Sequence, residues 1–149
     1  MTLNWSPIRA TAVRLLPGSD LKSELTRLAN EHQLQAASVV SAVGSLSKVA
    51  LRYANRPETT IAEGKHEIIS LSGTVSKDGI HLHMSVADSE GKMFGGHLME
   101  GAIIFTTAEI VIAEMSALDF TREHCSISGF NELIVKARTA DDRQTDTER

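Results

Sequence analysis

Hydrophobic and polar positions along the chain fall into short stretches of period two, interrupted once by a stretch of helical period. Ile8 to Leu16 alternates as a strand does, and Pro17-Gly18-Ser19-Asp20 supplies a turn followed by a helix cap. Leu21, Leu25, Leu28 and Ala29 then recur at helical spacing up to a break at His32-Gln33, with Leu34 beyond it, and predict the one long helix. Ala36 to Tyr53 is rich in Val, Ser and Ala and is interrupted at Gly44-Ser45, which predicts a strand, a tight turn and a second strand. Asn55 to Gly64 reads as a loop, His66 to Val75 as a strand, and Lys77-Asp78-Gly79 as a turn. Ile80 to Ala87 and Met93 to Leu98 are expected to pair antiparallel across the loop Asp88 to Lys92. The apolar, β-branched run Ala102 to Met115 predicts a long central strand, although its length alone would also allow a helix. Ile127 to Val135 predicts a last strand, and Thr139 to Arg149 has nothing to bury and is expected to be a disordered tail. Many strands, hairpin connections and one helix point to an α+β fold, a largely antiparallel sheet with the helix packed on one face, in a single domain over residues 1–138.

Composition narrows the function classes. The chain has 149 residues, 42% hydrophobic and 23% charged, enough to bury a core without disulfides or metal staples. Fifteen basic against nineteen acidic residues give a formal charge of −4, and no run of Lys and Arg makes the electrostatic footprint of a nucleic-acid binder. Cys125 is the single cysteine, so no internal disulfide can form, and a buried, inert thiol is expected. Arg9 and Arg14 interrupt the apolar N-terminal stretch, which leaves no segment long enough for a signal or a membrane span; a cytoplasmic protein without membrane contact is the expectation. Phosphate-loop, dinucleotide-loop and nucleophile-elbow motifs are absent, and the glycines of Gly91 to Gly96 lie in a hairpin, where they serve close backbone approach.

The candidate chemistry is a group of histidines. His81 and His83 flank Leu82 in a predicted strand, so their side chains share one face while Leu82 points away. His97 follows Gly95-Gly96 on the next strand, and a five-residue loop places it opposite His83 on that same face, whereas a two-residue loop would turn it to the other. Three imidazoles so arranged suit zinc or a similar divalent metal, with an open position for water or a substrate. The alternative is that His81 and His83 are solvent-facing polar residues of a half-exposed strand. Glu100, three residues beyond His97, is a candidate partner of a ligand or a base, against the plainer reading of a solvated carboxylate. His66 and Glu67 face opposite sides of their strand and are left outside the site, as are His32 and His124, whose spacing suits no ligand set.

The segments GSLSKVALRY (Gly44 to Tyr53), HEIISLSGTVS (His66 to Ser76), GIHLHMSVAD (Gly79 to Asp88) and GGHLMEG (Gly95 to Gly101) resemble, in order and character, the plants-and-prokaryotes-conserved domain. The early PGSDL (Pro17 to Leu21) is similar to the Gly-x-Asp-Leu that opens that family's helix, and the resemblance runs from about Arg9 to Val135. It implies an α+β fold, a homotrimer of the kind formed by prokaryotic members, and a metal site on the histidines of H-L-H and G-G-H, here His81, His83 and His97. It implies no settled enzymatic activity. Plant members carry AT-hook peptides ahead of the domain; this chain has no Arg-Gly-Arg-Pro core, which together with its charge argues against direct DNA binding. Three readings follow: an oligomeric metal-binding module whose open position takes a small anionic ligand, a DNA-associated or transcription-related interaction protein, and a metal-dependent hydrolase working through an activated water.

Overall fold

The computed structural model describes residues 3–139, so the tail expected over residues 139–149 lies outside the described residues but for Thr139. In chain order the elements are β1 (Ile8–Leu15), α1 (Leu21–Glu31), β2 (Ala37–Arg52), β3 (Thr60–Ser76), β4 (Gly79–Ala87), β5 (Met93–Leu98), β6 (Ile103–Met115), β7 (Leu118–His124) and β8 (Asn131–Ala137). The first six strands form an antiparallel sheet in the order β1-β6-β2-β3-β4-β5, and β7 and β8 form a separate two-stranded ribbon. This is the α+β arrangement expected from the period-two pattern.

Helix α1 begins where Asp20, in extended backbone conformation, accepts a hydrogen bond from the Ser23 N–H at 2.8 Å. The second carboxylate oxygen of Asp20 accepts from the Gly101 N–H, so the same residue caps the helix and ties it to the turn after β5. Leu21, Leu25 and Ala29 are fully buried against the sheet. Each leucine so placed is worth about 1.5–3 kcal/mol of removed apolar surface. They pack with Leu46, Leu51, Val75, Leu82, Val86, Leu98, Ile104 and Ile110 from the inner face of the strands. Among the described residues no helix is long and apolar enough to cross a membrane.

Three elements depart from expectation. Ala36 to Tyr53 is not two strands around a turn but one strand of sixteen residues, with register irregularities at Val39/Ser41 and between Gly44 and Lys48. Gly44 marks close approach of backbones: a Cβ there would lie 2.1 Å from the Thr107 carbonyl oxygen. The loop expected over Asn55 to Gly64 is shorter, because β3 already starts at Thr60 and pairs with the C-terminal half of β2. The last strand is displaced to Asn131–Ala137 and has a partner, β7, that the apolar pattern did not signal.

The long, irregularly paired β2 has a topological effect. At its C-terminal end Leu51 and Arg52 pair with Leu98 and His97 of β5, while the same strand also pairs with β3 and β6. The circuit β2-β3-β4-β5 therefore closes on itself, and β5 is held along both edges.

Candidate metal centre

The β4–β5 hairpin turns through Asp88 to Lys92, and the side chain of Asp88 accepts hydrogen bonds from the backbone N–H groups of Glu90 and Lys92, both at 2.9 Å. The register that follows sets Ala87 opposite Met93 and His83 opposite His97. Leu82 and Met84 of β4 and Leu98 of β5 point into the core, so His81, His83 and His97 all stand on the outer face of the sheet, away from α1. Their arrangement is tight. One ring nitrogen from each lies within 4.8 Å of the others, and the two Nε2 atoms of His81 and His83 are 3.2 Å apart. Ring centroids are separated by 5.1 Å for His81 and His83, 4.9 Å for His81 and His97, and 5.5 Å for His83 and His97.

The paired glycines ahead of His97 have a plain steric reason. A Cβ on Gly95 would sit 2.7 Å from the Met84 carbonyl oxygen and one on Gly96 2.8 Å from that of Arg52. No side chain fits between β4 and β2 at this point, and the absence of one draws His97 toward both neighbours.

Electrostatics favour neutral rings. Burial first, then His83 and Arg122, push the His81 imidazolium below its ordinary range. For His97, burial together with His81, Arg52 and His83 lowers the pKa to about 4. The His97 ring is therefore neutral at neutral pH, and His81 is shifted in the same direction.

Beside the cluster lies a cavity of about 430 Å³ whose lining includes His81, His97, Arg52, Arg122, Asn131 and Glu132. Arg52 is the cross-strand neighbour of His97, and Arg122 is held by a 2.8 Å hydrogen bond to Thr74 Oγ1, on the residue opposite His81. Arg52, Arg122, Asn131 and Glu132 carry no signal of this role in the sequence. Arg52 reaches the site only because β2 closes onto β5, and Arg122, Asn131 and Glu132 arrive on the ribbon, so no local spacing connects any of them with the histidines.

The remaining candidates are dispersed. Glu100 is exposed in the turn after β5 and belongs neither to the histidine cluster nor to the cavity wall. His66 is buried, its Nδ1–H donating to the Gly64 carbonyl oxygen at 2.9 Å and its ring edge-on to Phe94, while Glu67 is exposed. His32 caps α1 at its C-terminal end, and His124 ends β7. Cys125 is not the buried, inert thiol expected: it is half-exposed in the turn between β7 and β8, where the backbone N–H groups of Ser128 and Ile127 hold its thiol below the usual range.

The profile of the Plants and Prokaryotes Conserved (PCC) domain matches residues 4–116. Over 129 residues, 87% of this chain, the sequence is 46% identical to a segment of the bifunctional protein GlmU of Synechococcus sp. strain JA-3-3Ab; the chain spans 21% of that protein's length. Over 96 residues, 56% of this chain and 21% of the relative, it is 35% identical to the AT-hook motif nuclear-localized protein 13 of Arabidopsis thaliana. Among solved structures, a hypothetical protein from Salmonella enterica is 46% identical with a TM-score of 0.89, over 91% of this chain and 99% of that one. A metal-containing protein from Archaeoglobus fulgidus is 26% identical with a TM-score of 0.76, over 90% of this chain and 99% of that one.

Proposed function

This chain belongs to the Plants and Prokaryotes Conserved domain family, and from that premise we propose that it is a metal-binding module in which His81, His83 and His97 hold one divalent ion, zinc before others. The observation that carries the reading is the convergence of three ring nitrogens within 4.8 Å on one face of a hairpin. In a tetrahedral site with zinc–nitrogen bonds of about 2.0–2.1 Å, neighbouring ligand nitrogens lie roughly 3.3 Å apart. His81 and His83 already stand at 3.2 Å. The donor set fits as well: three imidazoles with no carboxylate or thiolate suit a borderline metal and leave one position open. An ion bound there supplies Lewis acidity to whatever enters the open position. That the Archaeoglobus fulgidus relative is a metal-containing protein lends further support.

The module is also proposed to work as a homotrimer. The outer sheet surface at β1, β6 and β2 carries Ile8, Ala10, Ala12, Val40 and Val43, all exposed in the single chain. An apolar surface of this kind on a sheet face is what a second copy of the chain would cover.

The test is the metal content of full-length protein purified without added metal or a histidine tag, beside a His81→Ala, His83→Ala double variant. About one zinc or similar ion per chain, lost in the variant with the fold retained, is the expected result. Wild-type protein that holds no ion even after incubation with zinc would end the reading.

A further inference from the structure

We infer that the cavity beside the three histidines is a binding site for a small oxyanion, a carboxylate or phosphate group carried on a small molecule, gripped by Arg52 and Arg122 and directed at the open position of the metal. The inference rests on the metal reading above and adds to it the ligand class and the residues that recognise it.

The first argument is charge. Three neutral imidazoles do nothing to neutralise a divalent ion. The two guanidiniums beside them add positive charge, and the two carboxylates in the same lining, Asp78 and Glu132, leave an excess of it once the ion is counted. Asp78 is further drawn off by Lys77, whose ammonium stands 3.4 Å away. A pocket of this balance attracts an anion and disfavours a cation or a purely apolar guest.

The second argument is geometry. Arg52 and Arg122 come from two different units, the closed sheet and the ribbon, and border the cavity together with His97 and His81. Arg122 is anchored through Thr74 Oγ1, which fixes one edge of its guanidinium and leaves its other N–H donors for a guest. Arg52 takes part in β2–β5 pairing, so its backbone is fixed beside His97. A guanidinium offers a planar fork of donors that matches two oxygens of a carboxylate or phosphate, a match a lysine cannot reproduce. With about 430 Å³ the cavity has the size of a small-molecule site. Asn131 and Glu132 supply polar groups that can accept or donate toward the remainder of such a guest.

The experiment is calorimetric titration of malonate and of inorganic phosphate into zinc-loaded full-length protein in low-chloride buffer, repeated on Arg52→Ala, Arg122→Ala and Arg122→Lys, with metal content measured on every sample. At least one of the two anions is expected to bind the wild type, and each alanine variant to weaken it about tenfold or more with the metal retained. Arg122→Lys keeps the charge and removes the fork, so an intermediate loss there supports bidentate recognition; it also guards against a loosened ribbon in the alanine variant. Binding of malonate alone marks a carboxylate ligand, and binding of phosphate alone a phosphorylated one. No binding of either anion to metal-loaded protein, or alanine variants that bind as the wild type does, overturns the inference. Should the protein load no metal, the metal assay reports that failure by itself: arginine-dependent anion binding to the metal-free chain would still support the pocket, and its absence would overturn it.

Discussion

His97 stands with Arg52 beside it on β2 and His83 opposite it on β4, so a proton added to its ring is penalised first by burial and then by the charges of His81, Arg52 and His83. Its folded-state pKa of about 4 lies below the ordinary value of 6.5. Above pH 6.5 neither the folded nor the unfolded chain holds this proton; between 6.5 and about 4 the unfolded chain binds it and the folded chain does not. Stability of metal-free protein therefore falls as pH drops through that window. Urea midpoints are expected to decline between about pH 6.5 and about pH 4 in the wild type and less steeply in His97→Gln; equal slopes would remove His97 as the source. The pairing of His81 with His83 was legible at this scale because alternation around Leu82 needs only two residues and a strand. Arg52 and Arg122 were not legible, since nothing near them in the chain says which histidine they will meet.

Strand β4 delivers two of the three proposed ligands, and its position depends on the approach of β3. Gly73 lies opposite Leu82 with φ +137, and a Cβ there would come 2.0 Å from the His81 carbonyl oxygen. Gly73→Ala must push β4 away as well as strain β3. The expected cost is on the order of 2–4 kcal/mol of stability, with weaker zinc retention from the displaced His81. Denaturant unfolding and metal analysis on one preparation would check both, and wild-type values in both would show that the strands can separate without harm. The β4–β5 hairpin was readable in full, because its loop length, turn chemistry and apolar alternation agree and all three are local. β2 was misread because Gly44 looks like a turn when only its neighbours are considered, whereas its requirement is set by Thr107, far along the chain. β7 escaped notice for a related reason: Leu118 and Phe120 bury against Ala36 and the ribbon, and a seven-residue strand ending in Arg122-Glu123-His124 carries too little alternation to stand out.

For the molecule as a whole the formal charge is −4, and the sequence given contains no Arg-Gly-Arg-Pro core. The uncovered surface of β1, β6 and β2 is the larger feature at this scale. Light scattering coupled to size exclusion is expected to give three times the chain mass of 16.1 kDa, and Val43→Glu, which sets a charge on that surface beside Ser41 and across from Glu109, is expected to shift it toward the monomer without loss of the metal. A monomeric wild type would leave the outer face to another partner and would remove the assembly part of the proposal.

The three ligands of the proposed metal all lie between Ile80 and Leu98 on one hairpin, whereas the sheet is completed by Ile8–Leu15 meeting Ile103–Met115, and the cavity by Arg122 and Glu132. During synthesis the chain emerges from its N-terminus, so His81, His83 and His97 leave the ribosome ahead of β6, β7 and β8. The pairing of β4 with β5 is itself made of contacts close in sequence, which form early and fast. The order of arrival is thus built into the strand order: the whole of the proposed ligand set emerges before the strands that finish the core, and the arginine on the ribbon follows, closing the pocket beside it.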